Sequence, residues 1–193
     1  MADRQGWAVW IVGLPGSGKS ALARGVRDAL KERGVDAVLL EMDARRKAYF
    51  PEPEYTQEER ERAYALFAEE AAGLTREGLN VIMDGSAYKT AMRRYARSLI
   101  PRFAEVYVRC DLETAMARES GRPAGKVVAD LYRKAIERRD TGRRFEGLGE
   151  VIGVDVAFEQ DPQAEFVIDN TRLAKAETLG KTLHFLDTWL ASA

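Results

Sequence analysis

The run Gly13-Leu14-Pro15-Gly16-Ser17-Gly18-Lys19-Ser20 satisfies G-x-x-x-x-G-K-[ST] at every fixed position, and few short stretches restrict a fold as tightly. The pattern has meaning only between a strand and a helix, and the chain supplies both. Apolar Ala8 to Val12 precedes it, and an amphipathic stretch from Lys19 to Arg33, stopped by Gly34, follows it. Glycines at 13, 16 and 18 let the backbone curl with its N–H groups inward, while the helix start adds its positive end. Such a concavity takes a polyphosphate, so ATP is the expected cofactor. The candidate nucleotide-binding residues are Gly13, Pro15, Gly16, Ser17, Gly18, Lys19, Ser20 and Ala21. Lys19 is expected to reach the β- and γ-phosphates as a catalytic residue, and the Ser20 hydroxyl to ligate Mg2+.

Short β-branched runs alternate with longer amphipathic stretches along the rest of the chain, which predicts an α/β fold. The expected architecture is the P-loop NTPase three-layer fold, a mostly parallel five-stranded sheet with helices on both faces and a basic lid. Further strands are expected at Ala37 to Leu40, Asn80 to Met83, Glu105 to Arg109 and Phe166 to Ile168. Thr56 offers an N-cap for a helix from Gln57 to Glu77, whose Tyr64, Phe67, Ala68, Ala71 and Leu74 share a face and which Gly78 closes. Other helices are expected at Thr90 to Leu99, Leu112 to Glu119, Val128 to Arg139 and Lys175 to Leu190. One kinase domain over 1–193 is expected, burying roughly 70% of the surface of the unfolded chain.

In an open parallel sheet ligands sit beyond the carboxyl ends of the strands. The second strand runs into Glu41-Met42-Asp43, and alternation along an extended chain predicts both carboxylates on one side, beside the phosphate loop. One would hold magnesium's waters and the other accept a proton. Asp43 is the candidate general base, since an acceptor hydroxyl must lose its proton as it attacks. The bland counterpart is a pair of solvated loop carboxylates. The third strand ends in Val81-Ile82-Met83-Asp84-Gly85, an apolar run and an aspartate of Walker B form. Asp84 therefore joins Ser20 and Glu41 as a metal candidate. No glutamate follows Asp84, as in motor ATPases, and no Asn-Lys-x-Asp run is present to read guanine; both features favour a kinase.

From Arg118 to Gly147 nine basic residues stand against five acidic ones, with Gly121, Pro123 and Gly125 among them. This predicts a lid over about 118–147 that excludes water and delivers arginine to developing charge. Arg118, as a catalytic residue, and Arg122, as a nucleotide ligand, are its candidates. Lys134, Arg138 and Arg139 read as a solvated helix face. Arg93 and Arg97, one helical turn apart, either clamp an anionic acceptor or form another solvated face.

Composition mainly excludes. Thirty basic and 31 acidic residues leave a formal charge of −1, with no basic surplus for nucleic acid or an anionic membrane. A single cysteine, Cys110, and a single histidine, His184, make neither a disulfide nor a zinc site. With no apolar run long enough for a signal or a span, the chain is expected to be soluble, unprocessed and cytoplasmic. A small-molecule acceptor is the expected partner, with a homodimer left open.

Taken together, these residues resemble the adenylylsulfate kinase family over nearly the whole chain. The phosphate loop matches closely, and Leu40-Glu41-Met42-Asp43-Ala44-Arg45-Arg46 lies over the family's Leu-Asp-Gly-Asp-x-x-Arg. Leu131-Tyr132-Arg133-Lys134-Ala135, Gly153-Val154-Asp155 and Phe158-Glu159 are similar to its Leu-Tyr-Lys-Lys-Ala, Gly-Ile-Asp and Tyr-Glu. The resemblance implies ATP-dependent phosphorylation of the 3′-hydroxyl of adenosine 5′-phosphosulfate, in sulfate assimilation. It also implies Asp43 as base, with Arg46, Arg60 and Arg93 binding the acceptor. The departures are Glu41-Met42 for Asp-Gly, Ala63 for an acceptor-binding asparagine and Ala87 for a serine. Ala129-Asp130 replace Lys-Gly, and Val151 replaces a phenylalanine that stacks on the acceptor's adenine. Two alternatives are carried forward: a P-loop kinase for another small alcohol (a sugar acid, an amino acid or a nucleoside), and a non-catalytic nucleotide-binding module.

Overall fold

A computed structural model describes residues 5–53, 56–121 and 130–192 of the chain. In chain order its elements are β1 (Ala8–Val12), α1 (Lys19–Glu32), β2 (Val38–Glu41), α2 (Met42–Tyr49), α3 (Gln57–Arg76) and β3 (Val81–Asp84). There follow α4 (Thr90–Leu99), β4 (Phe103–Arg109), α5 (Leu112–Ser120), α6 (Leu131–Thr141), β5 (Phe166–Asp169) and α7 (Lys175–Ala191). The strands form one parallel sheet in the order β2-β3-β1-β4-β5. Placing β1 at the centre makes the loop after it the middle of the carboxyl edge, where ligands bind.

Both faces of the sheet are covered, which is why the strands are apolar without a polar stripe. Ala8, Trp10 and Val12 point to one side, where Tyr64, Phe67 and Ala71 of α3 and Ala96 of α4 pack on them. Val9 and Ile11 point to the other, against Leu22, Val26 and Leu30 of α1 and Leu183 and Leu186 of α7. A third, smaller cluster joins Tyr132 and Ala135 of α6 to Leu148 and Val151. The local signals act as expected: Thr56 Oγ1 accepts from Glu59 N at 3.1 Å to cap α3, and Asp111 caps α5 through Thr114 N at 2.6 Å.

Two differences from the sequence reading matter. The chain turns helical at Met42, so the extended alternation expected through Asp43 ends with β2 at Glu41. And of the three arginines of α4, Arg94 is exposed whereas Arg93 and Arg97 turn inward. Arg93 is 0% exposed, its Nε 2.9 Å from Glu105 Oε1 of β4, while Arg97 pairs with Glu165. Burial pushes the Glu105 carboxyl up to about 7, with Arg93 pulling the other way. Because the folded value lies above the ordinary 4.5, this group's contribution is fully present below pH 4.5 and is lost as pH rises through 7. Urea unfolding should therefore show wild type losing roughly 2 kcal/mol relative to Glu105→Gln between pH 5 and 8. A gap that stays constant over that range would count against it.

Candidate active site

The carboxyl edge of the sheet opens into a cleft of about 1190 Å³ whose wall includes Lys19, Ser20, Asp43, Arg46, Arg60 and Asp84. Register explains why these meet. Glu41 of β2 and Asp84 of β3 are direct partners, and Asp84 is level with Ile11 of β1. The ends of three strands thus arrive beside the loop 13–18.

That loop is compressed between α5 and the sheet. Gly16, at φ +82°, has no room for a side chain, because a Cβ would collide with the Ala115 carbonyl oxygen; Gly13 meets the Val108 carbonyl in the same way. Gly18 is the N-cap of α1 and offers no side-chain acceptor, which leaves the first-turn N–H groups for another partner. Two contacts hold the loop from outside. Asn170, just past β5, donates from Nδ2 to Ser17 O at 2.7 Å, and Tyr132 of α6 donates its hydroxyl to Pro15 O at 2.7 Å.

At the phosphate end, Asp84 is 6% exposed and its Oδ1 has no hydrogen-bond partner among the described residues. Burial raises its carboxyl above the ordinary range, opposed by Lys19 and by a hydrogen bond with Ser20, and reinforced by Asp43 and Glu41. Lysine, hydroxyl and carboxylate are therefore within electrostatic reach of one another. Glu41 is engaged with Arg24, 2.6 Å away. Among the described residues no group of three His, Cys, Asp or Glu side chains forms a metal cage. Magnesium does not require one, since one or two protein oxygens with substrate phosphates suffice. Ser20 and Asp84 fit that demand.

At the other end, Asp43 lies exposed in the first turn of α2. Arg46, one turn further on, is paired with Glu59 at 3.2 Å, and Arg60 of α3 donates to the Glu150 carbonyl. The short α2 is held from its far side, where Arg45 and Tyr49 both bond to Glu70 of α3.

The expected residues separate into groups. Pro15, Gly16, Gly18, Lys19, Ser20, Ala21, Glu41, Asp43, Arg46, Arg60, Asp84 and Arg118 all line the cleft. Gly13 and Ser17 are buried beneath the loop. Arg93 is not at the cleft surface; it holds the Ala87 and Glu159 carbonyls from within, supporting the wall formed by Ser86 and Tyr88. Arg118 is spent on Asn170 and Thr171 carbonyl oxygens at 3.1 and 3.2 Å and on Asn170 Oδ1 at 3.2 Å, so it braces the nucleotide end. Arg122 lies outside the described residues. Burial pushes the Cys110 thiol up, away from nucleophilic use. Asn170 was legible in principle, since it directly follows a strand, whereas Arg24 carries no local signal at all.

The family model of the adenylylsulphate kinases matches residues 5–169. A probable adenylyl-sulfate kinase of Archaeoglobus fulgidus is 32% identical over 166 residues, which cover 86% of this chain and 97% of the relative. An adenylyl-sulfate kinase of Geotalea uraniireducens is 30% identical over 190 residues, covering 96% and 84%. Among solved structures, the APS kinase CysC of Mycobacterium tuberculosis, in complex with AMPPNP and APS, superposes with a TM-score of 0.77 at 22% identity. That match covers 95% of this chain and 98% of the other and speaks for the fold.

Proposed function

The chain belongs to the adenylylsulphate kinase family, and from that membership we propose that it transfers the γ-phosphoryl group of ATP to the 3′-hydroxyl of adenosine 5′-phosphosulfate. The observation that carries the reading is one cleft with two chemically distinct ends, a phosphate-binding loop with Lys19, Ser20 and Asp84, and an acceptor end with Asp43, Arg46 and Arg60. A module that only binds nucleotide has no use for the second end.

The roles follow from charge and position. Lys19 and the N–H groups at the start of α1 bind the β- and γ-phosphates and oppose the charge that builds on the transferred group. Asp43 takes the proton as the acceptor oxygen forms its bond to phosphorus and the bond to the ADP oxygen breaks. Arg46 and Arg60 orient an anionic acceptor, a task suited to guanidinium forks. Ser20 and Asp84 would hold magnesium, with Glu41 restrained by Arg24; the ion would supply positive charge against the polyphosphate. Arg118 and Asn170 keep the loop and the nucleotide end in place. A cytoplasmic site of reaction is consistent with a single unpaired cysteine. No helix among the described residues is long and apolar enough to cross a membrane.

ADP release with adenylylsulfate as acceptor tests the assignment. Stimulated turnover yielding the 3′-phosphorylated product is expected. If adenylylsulfate is inert while a sugar acid, amino acid or nucleoside is turned over, the acceptor is wrong and the phosphoryl chemistry stands.

A further inference from the structure

The wall of the cleft at 147–152 belongs to a loop, not to a helix or strand, yet it is tied down by its own backbone and by side chains of neighbouring elements. Gly147, Gly149, Glu150, Val151 and Ile152 line the cleft. Behind them the chain folds on itself: Asp155 N donates to Val151 O at 2.8 Å, and Gly153 N to Val156 O at 2.7 Å. Leu148 and Val151 pack on Tyr132 and Ala135 of α6.

One side chain of α6 gathers this loop. Arg138 donates from Nη1 to Leu148 O at 2.8 Å, and from Nη2 to Gly149 O at 3.1 Å and to Asp155 Oδ2 at 2.6 Å. Asp155 Oδ2 in turn accepts from Val151 N at 2.6 Å. The carboxylate thus joins the guanidinium to the backbone of a residue in the cleft wall. From the opposite side Arg60 of α3 holds Glu150 O. The loop is suspended between two arginines, and only Arg60 lines the cleft.

The bland reading of Arg138, a solvated helix face, does not describe a side chain with three acceptors on one loop. We propose that Arg138 and Asp155 are positioning residues for the acceptor: a clasp that fixes Glu150 and Val151, and through them the wall and the Arg60 guanidinium, without touching either substrate. The inference rests on the reading that the acceptor occupies the Asp43 end of the cleft. A planar fork reaching three oxygens has no equivalent in lysine, whose ammonium is a single point. Arg138→Met should therefore release the loop, and Arg138→Lys should restore it only in part.

Two measurements test this. Steady-state kinetics of Arg138→Met should show an acceptor KM raised about tenfold, with the KM for ATP within about twofold of wild type, because the misplaced element lies on one side only. Arg138→Lys should fall between the two. Arg139→Met is the control, since Arg139 pairs with its neighbour Asp140 on the surface, and should behave as wild type. Hydrogen exchange without any acceptor should show the amides of 148–155 opening about tenfold faster in Arg138→Met and in Asp155→Ala, Val151 included. An unchanged acceptor KM overturns the proposal, as does a rise in both KM values with a lowered Tm, which marks a role in the whole fold. Unchanged exchange at 148–155 overturns the clasp itself. Failure of the wild type to use adenylylsulfate is a separate outcome: it removes the acceptor assignment, while the exchange experiment still decides on the clasp.

Discussion

Asparagine at position 43 is expected to lower kcat by about 10²- to 10⁴-fold, the range that removal of a positioned general base produces. The substitution keeps the size of the side chain and its place in the first turn of α2, where a short polar group suits the helix start. What it removes is the ability to take a proton. Binding should change little, because Arg46 and Arg60 remain to hold an anionic acceptor and the phosphate loop lies on other elements. The kinetic signature is a fall in kcat and kcat/KM together, with both KM values within about threefold of wild type. A variant within about threefold of wild type in kcat would show that the proton leaves by another route and would remove Asp43 from the chemistry.

The same residue marks where reading the sequence reached its limit. The phosphate loop and its flanks were fully legible, because their signals are local: glycine spacing, one lysine, one hydroxyl and a helix stop at Gly34, which adopts φ +78°. Asp43 lines the cleft, but not by the route its sequence suggests. Alternation along a strand put it beside Glu41, but Met42 already begins α2, whose eight residues bury only Met42 and Arg46. So short a helix, anchored by side chains to Glu70 of α3, has no apolar period to read.

Arginines were the harder class. Arg93 and Arg97 do share a helix face, as their spacing says, but that face turns into the protein toward Glu105 on the next strand and Glu165 far along the chain. Spacing fixes which residues share a face and is silent on what the face meets. Arg138 went astray in the opposite sense: in sequence it is one cation in a charged run, and only the folding of 148–155 back onto α6 supplies its acceptors. Asn170 and Tyr132 show the same dependence on distant chain, since each supports the phosphate loop from more than a hundred residues away. Structure was legible where the signal lies within one short stretch of chain, as in the glycine spacing of 13–18, and became illegible where the partner, backbone or side chain, is brought in by topology.

Lys19→Ala should have an effect at least as large as any other substitution, with kcat/KM lowered by about 10³-fold or more. The reason lies in the balance of charge around the loop. Asp84, Asp43 and Glu41 stand near one another at the carboxyl edge, and Lys19 is the strongest cationic influence on Asp84. Glu41 already has Arg24 as its partner. Without Lys19 a polyphosphate would meet carboxylates at close range, in a setting where water screens them poorly. Calorimetry should show weakened ADP binding at fixed magnesium, and thermal unfolding should show a fold intact, since Lys19 is only half-buried. Acceptor-stimulated ADP release that vanishes in this variant also excludes a module that merely binds nucleotide, and activity within about tenfold of wild type would sink the assignment of Lys19 to the phosphates. Lys19→Arg then separates charge from shape. It keeps the cation but replaces a compact ammonium by a broad planar fork beside a loop with no space for a Cβ at Gly16. Recovery of ADP binding without recovery of kcat would mean that charge alone draws the polyphosphate in, and that transfer also needs a point donor small enough to follow the phosphoryl group as it moves.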